Sequence, residues 1–159
     1  MLANRLIQLI EAHSASLTQE ALHDVLTNDK TASFRRVPRQ ELKPRIAVLY
    51  ENLGKWIGNQ NENDIRQEYE DWGRTRFRQA IPFSEIVYAL ILTKKHLRKF
   101  IHEHGLVTFS GDRMMLDELV PVELYSIQEL NYVVGDFFDR ALYHLVCGYE
   151  SAAVARLAA

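Results

Sequence analysis

Leu42, Ile46, Leu49, Leu53 and Trp56 follow one another at intervals of four, three, four and three residues. That rhythm places five large apolar side chains on one face of an α-helix and on no single face of a strand. A chain built from such stripes must bury them against other helices. The same period recurs along the sequence. Leu6, Ile10, Leu17, Ala21 and Val25 step near helical spacing over 2–28, and Ile65, Tyr69, Trp72 and Ala80 share a face over 63–80. Turn material is scarce, with 7 Gly and 4 Pro in 159 residues, too few for an all-β fold of this length.

Five helical segments emerge. The first, 2–28, is open to a break at Ser14-Ala15-Ser16, where Ser16 and Gln19 have the spacing of a capping box. The polar, basic stretch 29–38 reads as a loop. The second helix covers 39–57, with Pro44 in its first turns, so its true start falls near Leu42; Gly58-Asn59 ends it. The third spans 63–80. The fourth begins at Pro82, a favoured first helical position, and stops before Gly105. Its first half is apolar nearly all round (Phe83, Ile86, Val87, Leu90, Leu92), which marks a surrounded helix. A connector with a Ser110-Gly111-Asp112 turn, room enough for a short hairpin, leads to the longest helix, 120–157. Unbroken, that helix is on the order of 50 Å long. Gly135 and Gly148 inside it cost up to about 1 kcal/mol each relative to Ala, a cost that close helix packing offsets. Short connections between amphipathic helices make neighbours antiparallel. The expected fold is one all-α domain over 1–159, a globin-like helical sandwich or a helical bundle of about five helices, with a long C-terminal helix.

Several functional classes recede. A net charge of −2 gives no nucleic-acid footprint. No apolar run approaches the roughly 20 residues of a membrane span, and the N-terminus lacks a signal-peptide core, so a cytoplasmic protein is expected. The single Cys147 forms no intrachain disulfide and reads as a small packed residue.

Arg76 is the most unusual residue. On a helical wheel it falls between Tyr69 and Trp72, inside the apolar face of its helix. A buried guanidinium must be paired and hydrogen-bonded. Two readings stay open: an anion or ligand site with Trp72, Gly73 and Tyr69 around it, or a structural pair with a carboxylate such as Glu85 or Asp136. Gly73 also allows a second backbone to approach. The histidines are less suggestive. His102 and His104 suit a helix C-terminus, and as His-x-His their rings point about 200° apart, a poor chelate. His96, in the basic run Lys94 to Lys99, is a candidate phosphotransfer nucleophile or a solvated surface side chain. Arg74, Arg76 and Arg78 with that run form either a basic patch or a mixed-charge solvated face beside Glu62, Asp64, Glu68, Glu70 and Asp71. No enzyme active site, metal or cofactor is expected, haem included, because no convergent ligand set is visible.

The long helix carries two adjacent apolar lines, Leu124, Ile127, Val134, Phe138, Ala141, Leu145 and Leu130, Val133, Phe137, Ala141. Their combined width exceeds what one bundle readily covers. A homodimer is therefore expected, with Leu124, Asn131, Val134, Phe137, Phe138, Ala141 and Leu145 at its face and Asn131 setting register. The competing account is that the helix is central in its own bundle.

The segment 36–106 resembles a known family on specific residues: Leu42, Leu49-Tyr50, Leu53, then Trp72-Gly73-Arg74-Thr75-Arg76, then Ile81-Pro82-Phe83-Ser84-Glu85-Ile86-Val87-Tyr88-Ala89-Leu90. This is similar to the amino-terminal sensor domain of the stressosome co-antagonist family (RsbR/RsbRD type). The resemblance implies a non-haem, globin-like helical domain, usually dimeric, that passes a signal to an attached or partner module in a bacterial cell. No output domain follows the last helix here, so the expectation is either action through a partner protein or a place within a longer chain.

Overall fold

The computed structural model describes residues 2–58, 62–105 and 116–159. Among these residues are seven α-helices and one 3-10 helix, and no strand. The helices are α1 (Leu2–Ala12), α2 (Ser14–Thr27), α3 (Arg39–Glu51), α4 (Leu53–Gly58), α5 (Glu62–Arg78), α6 (Phe83–His104) and α7 (Leu116–Ala158), with the 3-10 helix Asp29–Arg36 between α2 and α3. None is long and apolar enough to cross a membrane. The suggested turn and hairpin at 106–115 lie outside the described residues.

The all-α class and the long C-terminal helix are as expected, but five segments become seven α-helices because two stripes break, and the 3-10 helix is an eighth element. The first breaks at His13, one residue before the serines. His13 leaves helical geometry at φ −101° and ψ 14°, and α2 starts without a side-chain cap. Ser16 Oγ donates back to the His13 carbonyl at 3.0 Å, so the capping box with Gln19 is not made. The second breaks at Asn52 (φ −119°, ψ 28°), whose Nδ2 donates to the Val48 carbonyl at 3.1 Å. An amide reaching its own backbone competes with the helical ladder. The apolar stripe nevertheless survives, since Leu42, Ile46, Leu49, Leu53 and Trp56 are all buried. Pro44 is accommodated inside α3, which begins at Arg39 rather than Leu42. The stretch 29–38, expected as a loop, is mostly 3-10 helix. Asn28 accepts from Lys30 N, Thr31 Oγ1 donates to the Val25 carbonyl at 2.6 Å, and Phe34 is drawn into the core.

The most extensive helix pairing is α5 with α7. Two glycines set it. A Cβ on Gly73 would overlap the Leu145 carbonyl oxygen and lie 2.6 Å from Tyr149 N, while one on Gly148 would lie 2.6 Å from Glu70 Cα. The two backbones therefore touch at this crossing, and the helix-propensity cost of both glycines is offset by packing that no larger residue permits. Gly135 has open space around its missing Cβ, so its cost is not offset that way. Helix α7 has 43 residues, ~65 Å at the usual rise.

The corner from α5 into α6 is a Schellman motif. Ile81 N–H bonds to the Arg76 carbonyl and Ala80 N–H to the Phe77 carbonyl, at 3.1 and 2.9 Å. Ala80 occupies the left-handed position (φ 56°) where glycine is usual. It is exposed, so it leaves the apolar face assigned to it with Tyr69 and Trp72. This corner fixes Ile81 in the core, and Tyr149 Oη of α7 donates to the Ile81 carbonyl at 3.1 Å.

Candidate functional site

The periodicity that buries α5 carries Arg76 inward with it, leaving the residue 4% exposed. Its Nη1 donates to Gln79 Oε1 at 2.6 Å and lies 3.5 Å from Glu41 Oε1, and Gln79 Nε2 donates to the same Glu41 oxygen at 2.6 Å. The carboxylate partner is thus Glu41 of α3. Neither Glu85 nor Asp136 serves. Glu85 accepts from Ser33 N and Oγ, and Asp136 pairs with Arg140. Burial lowers the Arg76 pKa from its ordinary value, Glu41 opposes that shift, and Arg45 adds to it. The guanidinium carbon also sits 5.7 Å from the Phe34 ring centroid, a cation–π arrangement.

Arg76 lines a small cavity of about 40 Å³ between α2, α3, α5, α6, α7 and the 3-10 helix. Trp72 lines the same cavity; its Nε1 donates to Glu68 at 3.1 Å, and the Arg45 guanidinium carbon lies 5.7 Å from its ring centroid. The other two residues grouped with Arg76 do different work. Gly73 makes the crossing with α7. Tyr69 belongs to an aromatic cluster with Trp56, Trp72 and Phe137, ring centroids 6.2, 5.1 and 5.9 Å away. Burial raises its phenol pKa. Arg45, Glu41, Gln79, Phe34 and Thr93 also build the site and were missed from sequence. Gln79 stands three residues after Arg76, a spacing that signals contact on a helix. The others arrive from separate helices and carry no local signal.

The proposed dimer residues are placed largely inside the protomer. Val134, Phe137, Phe138, Ala141 and Leu145 are each 3% exposed or less. This corrects the expectation, because α5, α6, α1 and α4 together cover both apolar lines of α7. Asn131 Nδ2 donates to the Ile127 carbonyl of its own helix at 3.1 Å, and Leu124 is half exposed. A different surface is left open. Tyr125, Tyr132, Tyr143 and Val154 are 65–72% exposed. Their spacings of 7, 11 and 11 residues return to nearly the same angle at 100° per residue, so they form one line along the outside of α7. Glu129, Asp136, Asp139 and Glu150 share that side.

The basic stretches do not merge. Arg76 is internal, Arg74 pairs with Glu70 at 3.5 Å, and Lys94, Lys95, Arg98 and Lys99 border an open groove between α6 and the start of α7. His96 is half-buried, with Nε2 2.9 Å from Asp24 and Nδ1 3.7 Å from Glu20. His144 Nε2 is 2.5 Å from Glu62 Oε1, and Arg140 Nη1 is 3.0 Å from the other oxygen. The His144 and Arg140 hydrogen bonds lower the Glu62 pKa from its ordinary value. Among the described residues, no group of three or more His, Cys, Asp or Glu is placed to hold a metal ion.

No protein family, curated protein or solved structure matches this chain.

Proposed function

We propose that this is a sensor-type signalling domain of the bacterial cytoplasm, globin-like in arrangement and without haem, that acts through protein contacts rather than catalysis. One observation carries the reading. Helix α7 lines the Arg76 cavity with Leu145, touches the Arg76 helix backbone to backbone at Gly73 and Gly148, and presents an outward line of tyrosines. A shift at the cavity therefore moves the helix that carries the exposed surface, and packed helices shift as units rather than deform. Exposed aromatic lines of this kind mark interaction surfaces on water-soluble domains. The likeness of Trp72 to Arg76 and Ile81 to Leu90 to the stressosome sensor domains supports the same reading.

The partner surface we propose is a second copy of the chain meeting the outer line of α7, in place of the inner line. Sedimentation velocity at tens of micromolar tests it. The unmodified protein sediments as a dimer, and Tyr132→Lys with Tyr143→Lys sediments as a folded monomer. A monomeric parent, or a dimer indifferent to both lysines, overturns the proposal.

A further inference from the structure

Arginine carries five N–H donors. In Arg76 the two on Nη1 face Gln79 and Glu41. The one on Nε and the two on Nη2 find no acceptor among the described residues. Nε and Nη2 form one edge of the planar guanidinium, the edge that meets a carboxylate with two parallel hydrogen bonds. The residue that carries this free edge is 96% buried (4% exposed) and lines a cavity whose other walls are mainly apolar, among them Ile86, Leu90 and Leu145.

The charge is as poorly satisfied as the donors. Glu41 is 3.5 Å away, its side chain is 38% exposed, and its near oxygen already accepts from Gln79. Arg45, also on the cavity wall, is neutralised by Asp71 at 2.9 Å and Glu68 at 3.9 Å. An under-compensated cation against an apolar wall favours an anion over neutral water, because the attraction is weakly screened there. Size narrows the choice. About 40 Å³ has room for roughly three waters or one very small ion. A tetrahedral dianion is too large and too costly to desolvate. Chloride fits but offers a single centre to a two-pronged edge.

We propose that the Arg76 cavity is a binding site for a small planar monoanion, a carboxylate of one or two carbons, held two-pronged by Nε and Nη2. The geometry stands alone; its meaning as a signal rests on the sensor reading above.

The test titrates formate and acetate into the full chain, with chloride and sulfate at matched ionic strength, and follows the arginine Nε–H resonances by NMR. The expected result is saturable movement of one buried Nε–H with formate or acetate, and little response to sulfate. Ala89 lines the cavity, so Ala89→Leu fills it while leaving Arg76 in place. That variant, shown folded by circular dichroism, and Arg76→Lys should each bind about tenfold or more weakly. Formate binding that survives Ala89→Leu, or an equal response to all four salts, overturns the site. Repeating the sedimentation experiment with formate separates the two proposals. Binding that leaves self-association unchanged supports the anion site and overturns its coupling to α7; a shift in self-association supports both.

Discussion

Helix α7 has two apolar faces with opposite fates. The inner one (Val134, Phe137, Ala141, Leu145) is fully consumed by α5 and its neighbours, down to backbone contact at Gly148. The outer one (Tyr125, Tyr132, Tyr143, Val154) is left in solvent. Phe137 and the aliphatic residues of the inner line went inside, where no polar atom needs a partner; the outer line is mostly tyrosine, whose hydroxyl is solvated there, with Val154 the apolar exception. One face holds the fold together, and the other is free to change without unfolding it.

Substitutions on the two faces should therefore separate cleanly. The largest loss is expected at Phe137→Ala, which removes a ring packed on Trp56, Tyr69 and Phe138 and costs about 3–5 kcal/mol in chemical denaturation. Next is Gly148→Ala. Helix propensity alone would favour Ala by about 1 kcal/mol. The new Cβ meets the backbone of Glu70, so the helices must separate and the net is a loss of about 3 kcal/mol. A stabilised Gly148→Ala would show that the crossing is looser than described.

Arg76 sharpens the contrast from within the seam. Arg76→Ala leaves a void and frees Gln79 and Glu41. Because Glu41 is part-exposed and can rehydrate, the expected cost is about 2 kcal/mol, less than for a fully buried pair. Arg76→Met, which fills the same space without charge, should be near neutral in a thermal melt. If Met is as damaging as Ala, the guanidinium contributes stability that its few hydrogen bonds do not explain.

On the outer face, Tyr132→Lys should change the unfolding free energy of the monomer, measured below the concentration of self-association, by no more than about 0.5 kcal/mol. A larger loss would mean that the tyrosine line packs in the monomer after all. The smallest effect belongs to Glu62, which ties the start of α5 to α7. Its pKa is lowered in the folded state, so its contribution is present above the ordinary carboxylate range and is lost as pH falls through the lowered value. Glu62 is half exposed, so Glu62→Gln should cost at most about 1 kcal/mol at pH 7, and the cost should shrink as pH falls through the lowered value. A pH-independent difference would assign the effect to something other than its charge.

The sequence by itself determined that the chain is all helical, which residues line each helix, and that Arg76 must be buried. These follow from the 3.6-residue period and the proline and glycine signals at helix ends, which are local. The breaks at His13 and Asn52 were less legible, because they depend on which backbone oxygen a single side chain reaches. Only the tertiary structure decided that Glu41 is the Arg76 partner, that Gly73 and Gly148 meet while Gly135 does not, and that the inner line of α7 is core rather than interface. Each of these depends on how distant helices cross. A stripe says that a face must be covered; what covers it is set by the packing of all the other helices at once.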